Sequence, residues 1–385
     1  MIYDTARDGR QQAEPCAMTA AGCARCEVID KSSTAGLRPY ILAPKDADSF
    51  ATLTSALNSQ GILYSVYGSM VVISECSSIS RFLTSIQTSL SEITLQSIRA
   101  SEFSGEIGSC SMIQACLHGE SLLDLCTTHS HSWVRSALQD DWLFSMFHPI
   151  VEVSSARVYA YEMLLRAKHP ETGAMIGAGQ IIEACDALKL QHQLDQRARK
   201  SAIRQAAGLH ANNRRIFINF LPNTIYDPAI CLRTTLEAAQ EYGVDVHKLV
   251  FEIVETEKIA DMEHLKRILN YYKTHGISTA VDDMGAGHTS MQYLRELEPD
   301  YVKIDRDIIV NAVDDAVVRK QLDSIVSLSK KLGIKVITEG VETEAQLRVG
   351  LEAGTDFIQG YLFAKPANPP QEPQNTEMLM LNKAA

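Results

Sequence analysis

A (β/α)8 barrel joined to a smaller N-terminal α/β domain is the α/β fold class this chain predicts, on three observations. From about residue 142, short apolar runs alternate with amphipathic stretches, strand then helix, as a parallel sheet requires. Eight such runs fall within roughly 225 residues, close to the about 250 typical of a closed barrel. Several runs end in, or carry, a carboxylate, and such barrels place their active sites at strand ends.

The elements follow in order. Residues 1–36 show no sustained period and read as an irregular, cysteine-containing leader. Residues 37–140 read as a regulatory α/β domain with connecting helices. In it Pro39–Ala43 is a strand and Asp48–Asn58 is helical by the spacing of Phe50, Leu53 and Leu57. Ile62–Tyr67 and Met70–Ser74 flank Gly68-Ser69 as a hairpin. Ile79–Leu90 is helical, Ser101–Ser111 a loop, and 112–140 one or two helices. The barrel occupies 141–370, followed by a flexible tail over 371–385. Its strands are predicted at Phe147–Val153, Val158–Leu165, Arg215–Phe220, Leu249–Val254, Ser278–Val281, Tyr301–Ile304, Lys335–Thr338 and Phe357–Leu362. Helices fill the gaps, among them Gln193–Ala207, Met262–Thr274 and Glu344–Ala353.

The 385 residues are 45% hydrophobic and 22% charged, ample for a real core. A net charge of −11 argues against gripping a nucleic-acid polymer. A small phosphorylated ligand stays open, because bound cations reverse a local field. The first ten residues lack the apolar core of a signal peptide, and no stretch reaches the roughly 20 apolar residues of a membrane span. The expectation is a cytoplasmic protein with no membrane partner. Its nine cysteines are then mostly reduced. Cys16, Cys23 and Cys26 have no identifiable fourth ligand and read as free thiols.

The carboxylates carry the chemistry. A buried strand has no use for an unpaired charge, unless strand ends converge on one or two cations. Asp282-Asp283 follows the apolar run Ile277–Val281. One aspartate would serve as a helix N-cap; two adjacent ones suggest a bridge between cations. Glu252 sits inside a strand between Phe251 and Ile253, and Glu255 lies just past its end on the opposite face. Glu252 is assigned to metal and Glu255 to positioning a loop. Asn219 is a neutral oxygen donor suited to Mg2+ or Mn2+. Glu339 ends a strand as ligand or base, whereas Glu342 is either functional or a first-turn helix residue. Lys303 and Asp305 share a face: either a structural ion pair, or a lysine that orients an attacking water. Glu162 and Arg166 put an acid and a base four apart at the end of an early strand.

Taken together these residues resemble the EAL domain, the bacterial phosphodiesterase module that hydrolyses cyclic di-GMP. The eponymous motif is Glu162-Met-Leu-Leu-Arg166, with Met163 in place of alanine. Asn219-Phe-Leu-Pro, Phe251-Glu-Ile-Val-Glu-Thr256, Asp282-Asp-Met-Gly, Asp300-Tyr-Val-Lys-Ile-Asp305, Thr338-Glu-Gly-Val-Glu342 and Gln359-Gly-Tyr-Leu-Phe follow in order. The resemblance implies a modified barrel with one antiparallel strand, two divalent cations (Mg2+ or Mn2+), the product pGpG, and a homodimer. It implies a metal shell of Glu162, Asn219, Glu252, Asp282, Asp283 and Glu339, with Asp282 bridging. Lys303 would assist the water, Arg166 touch a substrate phosphate, Asp305 support the shell and Gln359 lie beside the site. Glu255 and Glu342 would hold the loop after Asp283. That loop departs from the family at Met284, Ala286, His288, Thr289 and Met291. A catalytically weak domain that acts as a cyclic di-GMP receptor or a protein-interaction module is the competing expectation.

Overall fold

The computed structural model describes residues 39–73, 79–103, 110–208, 214–253, 261–285 and 291–381. Glu255, the three leader cysteines and loop positions 286–290 lie outside the described residues. The chain divides into two compact units, Met1–Cys126 and Thr127–Ala385.

The first unit is built on five antiparallel strands: β1 (Tyr40–Pro44), β2 (Ser65–Tyr67), β3 (Met70–Ile73), β4 (Ile98–Glu102) and β5 (Glu120–Ser121), in the order β2-β3-β1-β4-β5. Period-two alternation sends Leu42, Val71 and Ala100 into a core completed by Leu53, Leu57, Phe82 and Ile86 of helices Ala47–Ser59 and Ile79–Ser89. Ile41 and Val72 point to the other face, onto Phe103 and Met112. The expected hairpin is present, with Gly68 at φ 63° supplying the turn. β4 was not expected, because only its inward positions Ile98 and Ala100 are apolar.

In the second unit nine strands form one sheet: β6 (Leu143–Glu152), β7 (Arg157–Lys168), β8 (Met175–Gly177), β9 (Arg215–Phe220), β10 (Leu249–Ile253), β11 (Ser278–Met284), β12 (Tyr301–Ile304), β13 (Lys335–Thr338) and β14 (Phe357–Ile358). β7 and β9 to β14 run parallel. β6 runs antiparallel to both β14 and β7 and closes the ring. The result is an eight-stranded barrel with one antiparallel strand, and β8 hangs outside it on the edge of β7. β14 is shorter than its apolar run suggested. The chain leaves the ladder at Gln359 because Gly360 packs onto the backbone of Val341, where a Cβ would lie 2.1 Å from the carbonyl oxygen.

Alternation along the strands makes two surfaces. Outward residues such as Ile218, Phe220, Phe251 and Ile253 meet Leu265, Ile268 and Tyr272 of the surrounding helices. Inward residues form one apolar layer: Ile150, Ala160, Phe217, Val250, Ala280, Tyr301, Ile337 and Phe357. Strand starts are fixed by carboxylates: Asp300 accepts from the Thr279 N–H and Asp356 from the Val336 N–H, each at 2.8 Å.

Behind β9, Asp195 and Arg199 on helix Gln191–Ala207 form an ion pair at 2.8 Å, with side chains 2% and 1% exposed. Asp195 also accepts the Leu221 N–H at 3.2 Å, anchoring the exit of β9. Burial pushes its carboxyl up and Arg199 opposes that push. Removing one partner strands the other charge. Arg199→Leu should therefore lose about 3–5 kcal/mol in urea unfolding, and a second change, Asp195→Leu, should recover part of that loss.

Candidate active site

Stepping two residues from the apolar layer toward the C-terminal mouth of the barrel gives the next inward layer. From Ala160 it reaches Glu162, from Phe217 Asn219, from Val250 Glu252 and from Ala280 Asp282. From Tyr301 it reaches Lys303, from Ile337 Glu339 and from Phe357 Gln359. On the antiparallel strand the same step runs backward, from Ile150 to His148, directly across the hairpin from Glu162. The apolar layer thus forms the floor of a polar one. Above it opens a cavity of about 490 Å3 lined by His148, Glu162, Asp282, Lys303, Glu339 and Gln359 among others.

Lys303 is fully buried and stands among four carboxylates. Its Nζ lies 2.6 Å from Glu339 Oε1, 3.0 Å from Glu252 Oε1, 3.1 Å from Asp282 Oδ1 and 3.3 Å from Glu162 Oε1. Glu252 is itself fully buried, and its contact with the ammonium is Coulombic, because neither of its oxygens finds an aligned donor. Glu162 accepts from Gln359 Nε2 at 2.8 Å and, weakly, from Asn219 Nδ2 at 3.4 Å. Asp282 Oδ1 accepts the Asp283 N–H at 2.9 Å.

The protonation states follow from this arrangement. Burial would strip the proton from Lys303, but the surrounding carboxylates hold its ammonium well above the usual range. Burial pushes Glu252 and Glu339 well above the carboxylate range; the neighbouring acids add to the push and Lys303 opposes it. Glu162 goes down: burial would raise it, but Lys303 and the other polar neighbours outweigh burial. Asp283 is pushed up to about 6, by burial first and then by the Asp282 charge. Burial lowers the His148 imidazole, against the pull of Glu162.

Two triads of carboxylates are close enough to share an ion. Ligand atoms of Glu162, Glu252 and Asp282 lie within 4.8 Å of one another, as do those of Asp282, Asp283 and Glu339. Asp282 belongs to both. The donors are all hard oxygens, and Glu252 holds two buried oxygens with no aligned donor, so the residues present fit divalent cations of the Mg2+, Mn2+ or Ca2+ kind.

The remaining expected residues take separate places. Asp305 lines the cavity and N-caps helix Arg306–Asn311, its Oδ1 accepting the Asp307 N–H at 2.7 Å. Glu342 lies one residue before the Thr343 N-cap of helix Glu344–Ala353 and meets Arg306 at 3.3 Å. Arg166 donates to the Leu165 carbonyl at 2.7 Å and, with Asn219, lines an adjoining cavity of about 160 Å3. Sequence reasoning missed His148, Arg306 and Tyr361, which all line the acid cavity. For His148 a signal existed: an imidazole between Phe147 and Pro149 inside an apolar run.

Fold and site define a closed α/β barrel whose strand ends bring carboxylates together in an oxygen-rich cluster that could hold cations. Residues 131–366 match the EAL domain family, and the chain belongs to it. It is 29% identical over 236 residues to the cyclic di-GMP phosphodiesterase NbdA of Pseudomonas aeruginosa, covering 60% of this chain and 30% of that protein. The chain thus spans about a third of that relative's length. A standalone EAL protein from Vibrio cholerae O395, solved in its c-di-GMP-bound form, is 33% identical with a TM-score of 0.54, over 61% of this chain and 97% of that one. The Bacillus subtilis YkuI protein, solved with c-di-GMP and calcium, is 25% identical with a TM-score of 0.57, over 65% of this chain and 63% of that one. No described helix is long and apolar enough to cross a membrane.

Asp283 adopts φ 52°, a left-handed conformation that asparagine tolerates. Its carboxyl holds a proton more tightly folded (about 6) than at its ordinary 3.8, so stability falls as pH rises through that window. Asp283→Asn removes this penalty. In EDTA at pH 8 its Tm should exceed that of the unaltered protein by about 2–4 °C, and the difference should vanish toward pH 4.

Proposed function

We propose that this chain is a cyclic di-GMP phosphodiesterase that opens the ring to linear pGpG, using two divalent cations, Mg2+ or Mn2+. The observation that carries the reading is the pair of carboxylate triads sharing Asp282 above the barrel floor. The c-di-GMP-bound EAL structures and the named phosphodiesterases among the relatives support it.

In this reading Glu162, Asn219, Glu252, Asp282, Asp283 and Glu339 would hold the cations, and Asp282, common to both triads, would be the shared ligand. When bound, the pair supplies an acidified water and neutralises charge on the phosphoryl oxygens. The chain's own groups do the rest. Lys303 places an ammonium among the acids, where it orients the attacking water and opposes negative charge developing on the phosphoryl oxygens. Arg166 reaches a phosphate from the adjoining cavity, where its guanidinium suits phosphate oxygens. Gln359 holds Glu162 in place. Asp305, through its cap on helix Arg306–Asn311, and Glu342, through Arg306, brace the cavity rim. Glu255 is assigned to positioning the loop after Asp283. The unit before Thr127 is assigned to control of the barrel, and a homodimer in the cytoplasm is the working state.

Purified protein with Mn2+ or Mg2+ should convert cyclic di-GMP to pGpG, and EDTA should stop it. Asp282→Asn, which neutralises the shared ligand, should lower turnover by at least about 100-fold. Cyclic di-GMP binding without turnover under every metal condition would favour the receptor reading instead. Burial and the neighbouring acids favour the protonated forms of Glu252 and Glu339, Asp283 is pushed up to about 6, and a cation needs all three as carboxylates. Cation affinity should therefore rise from pH 6 to pH 8 with release of protons, measurable by calorimetry in buffers of different ionisation enthalpy.

A further inference from the structure

Besides the Glu252 oxygens assigned to cations, the polar layer contains two acceptors that no described donor meets. Gln359 is 1% exposed and gives its amide N–H to Glu162, which fixes the other end of the amide as oxygen; that Oε1 has no hydrogen-bond partner among the described residues. His148 is 8% exposed, faces Glu162 across the hairpin and is held by a hydrogen bond to the backbone of Ala364. Its Nε2 is likewise buried without a partner. Both side chains line the acid cavity.

The layer cannot supply what they lack. With cations bound its carboxylates are ionised and only accept. Its other donors, Lys303 and Asn219, are already turned to carboxylates. A buried acceptor left unmade costs about 1–3 kcal/mol, so the missing donor belongs to what enters the cavity. For a phosphodiester bound at the acids, the donor nearest the reacting phosphorus is the ribose hydroxyl on the carbon next to the esterified one.

We propose that His148 is a recognition residue of this site, its Nε2 accepting a hydrogen bond from the ligand's ribose 2′-hydroxyl. The proposal rests on the cavity being a cyclic dinucleotide site. It makes the site selective for ribonucleotide over deoxyribonucleotide rings, and it makes His148 a determinant of binding rather than a proton carrier.

The test compares cyclic di-GMP with its 2′-deoxy analogue on the full chain, by ligand-induced Tm shift and by steady-state hydrolysis. The unaltered protein should take the deoxy analogue about tenfold more weakly, the effect of losing one net hydrogen bond. His148→Phe should raise KM for cyclic di-GMP by about the same factor, leave kcat within about twofold and bind both ligands alike. His148→Gln, which keeps an acceptor, should retain part of the discrimination. If His148→Phe still discriminates as the unaltered protein does, or lowers kcat with KM unchanged, the proposal fails. If His148→Phe does not fold, the unaltered protein decides: equal binding of the two ligands overturns the proposal. An unaltered protein that neither binds nor cleaves cyclic di-GMP overturns the underlying reading instead.

Discussion

Everything at the mouth of this barrel depends on the Lys303 ammonium. Four carboxylates no more than 16% exposed approach it within 3.3 Å. Without it, strands β7, β10 and β11 and the end of β13 would present like charges to one another in a medium that screens them poorly. Lys303 sits on β12, so one side chain joins four other strands. The charges do not balance, however. One ammonium faces more acid than it can neutralise, and burial with the neighbouring acids raises Glu252 and Glu339, favouring their protonated forms. Such a cluster costs stability, as buried ionisable groups do, and what it gains is a set of oxygens pre-positioned for cations.

Much of this was legible in the sequence, because a parallel barrel has regular arithmetic. Strands Arg215–Phe220, Tyr301–Ile304 and Lys335–Thr338 fall where the apolar runs place them, since strands covered on both faces read as continuous hydrophobic stretches. A polar residue inside such a run is then conspicuous, and Glu252, Asp282 and Lys303 were found that way. Three things were hidden. His148 escaped because its strand runs backward: counting forward from Ile150 leads to Glu152, away from the site. The extent of β14 was misread because nothing local in Phe357–Leu362 announces that Gly360 must meet the Val341 backbone. The N-cap role of Asp305 depends on a helix too short, at Arg306–Asn311, to show a period.

Backbone contact between the last two crossings does for Glu339 and Gln359 what side-chain pairing does for the others. The Val341 N–H bonds the Gln359 carbonyl, and the Leu362 N–H bonds that of Val341. Gly340, at φ 61°, lies where any Cβ would strike the Arg306 stem. Gly360 lies where any Cβ would strike backbone, which cannot move aside. These glycines lock the exits of β13 and β14 together, so Glu339 and Gln359 enter the cavity from a fixed base, and Gln359 in turn orients Glu162. The sequence shows them as ordinary turn residues. Their positioning work appears only once the two exits are seen in contact.

The same oxygens that hold Lys303 are the ones a cation would use. Asp282 Oδ1 and Glu339 Oε1 lie 3.1 and 2.6 Å from the ammonium, and each belongs to a residue of a carboxylate triad. A magnesium-sized ion binds such oxygens at about 2.0–2.1 Å and draws on the same lone pairs. Ammonium and cation would therefore compete, and each cation bound would weaken the hold on Lys303. Under the proposed function that coupling would give the lysine two roles on one side chain: counter-ion for the acids while they are unliganded, and a cation free to turn to the ligand once they are engaged. A fixed structural ion pair would show no such dependence. This explains why the layer's one ammonium lies at the centre of the acids instead of at the cavity rim with Arg306.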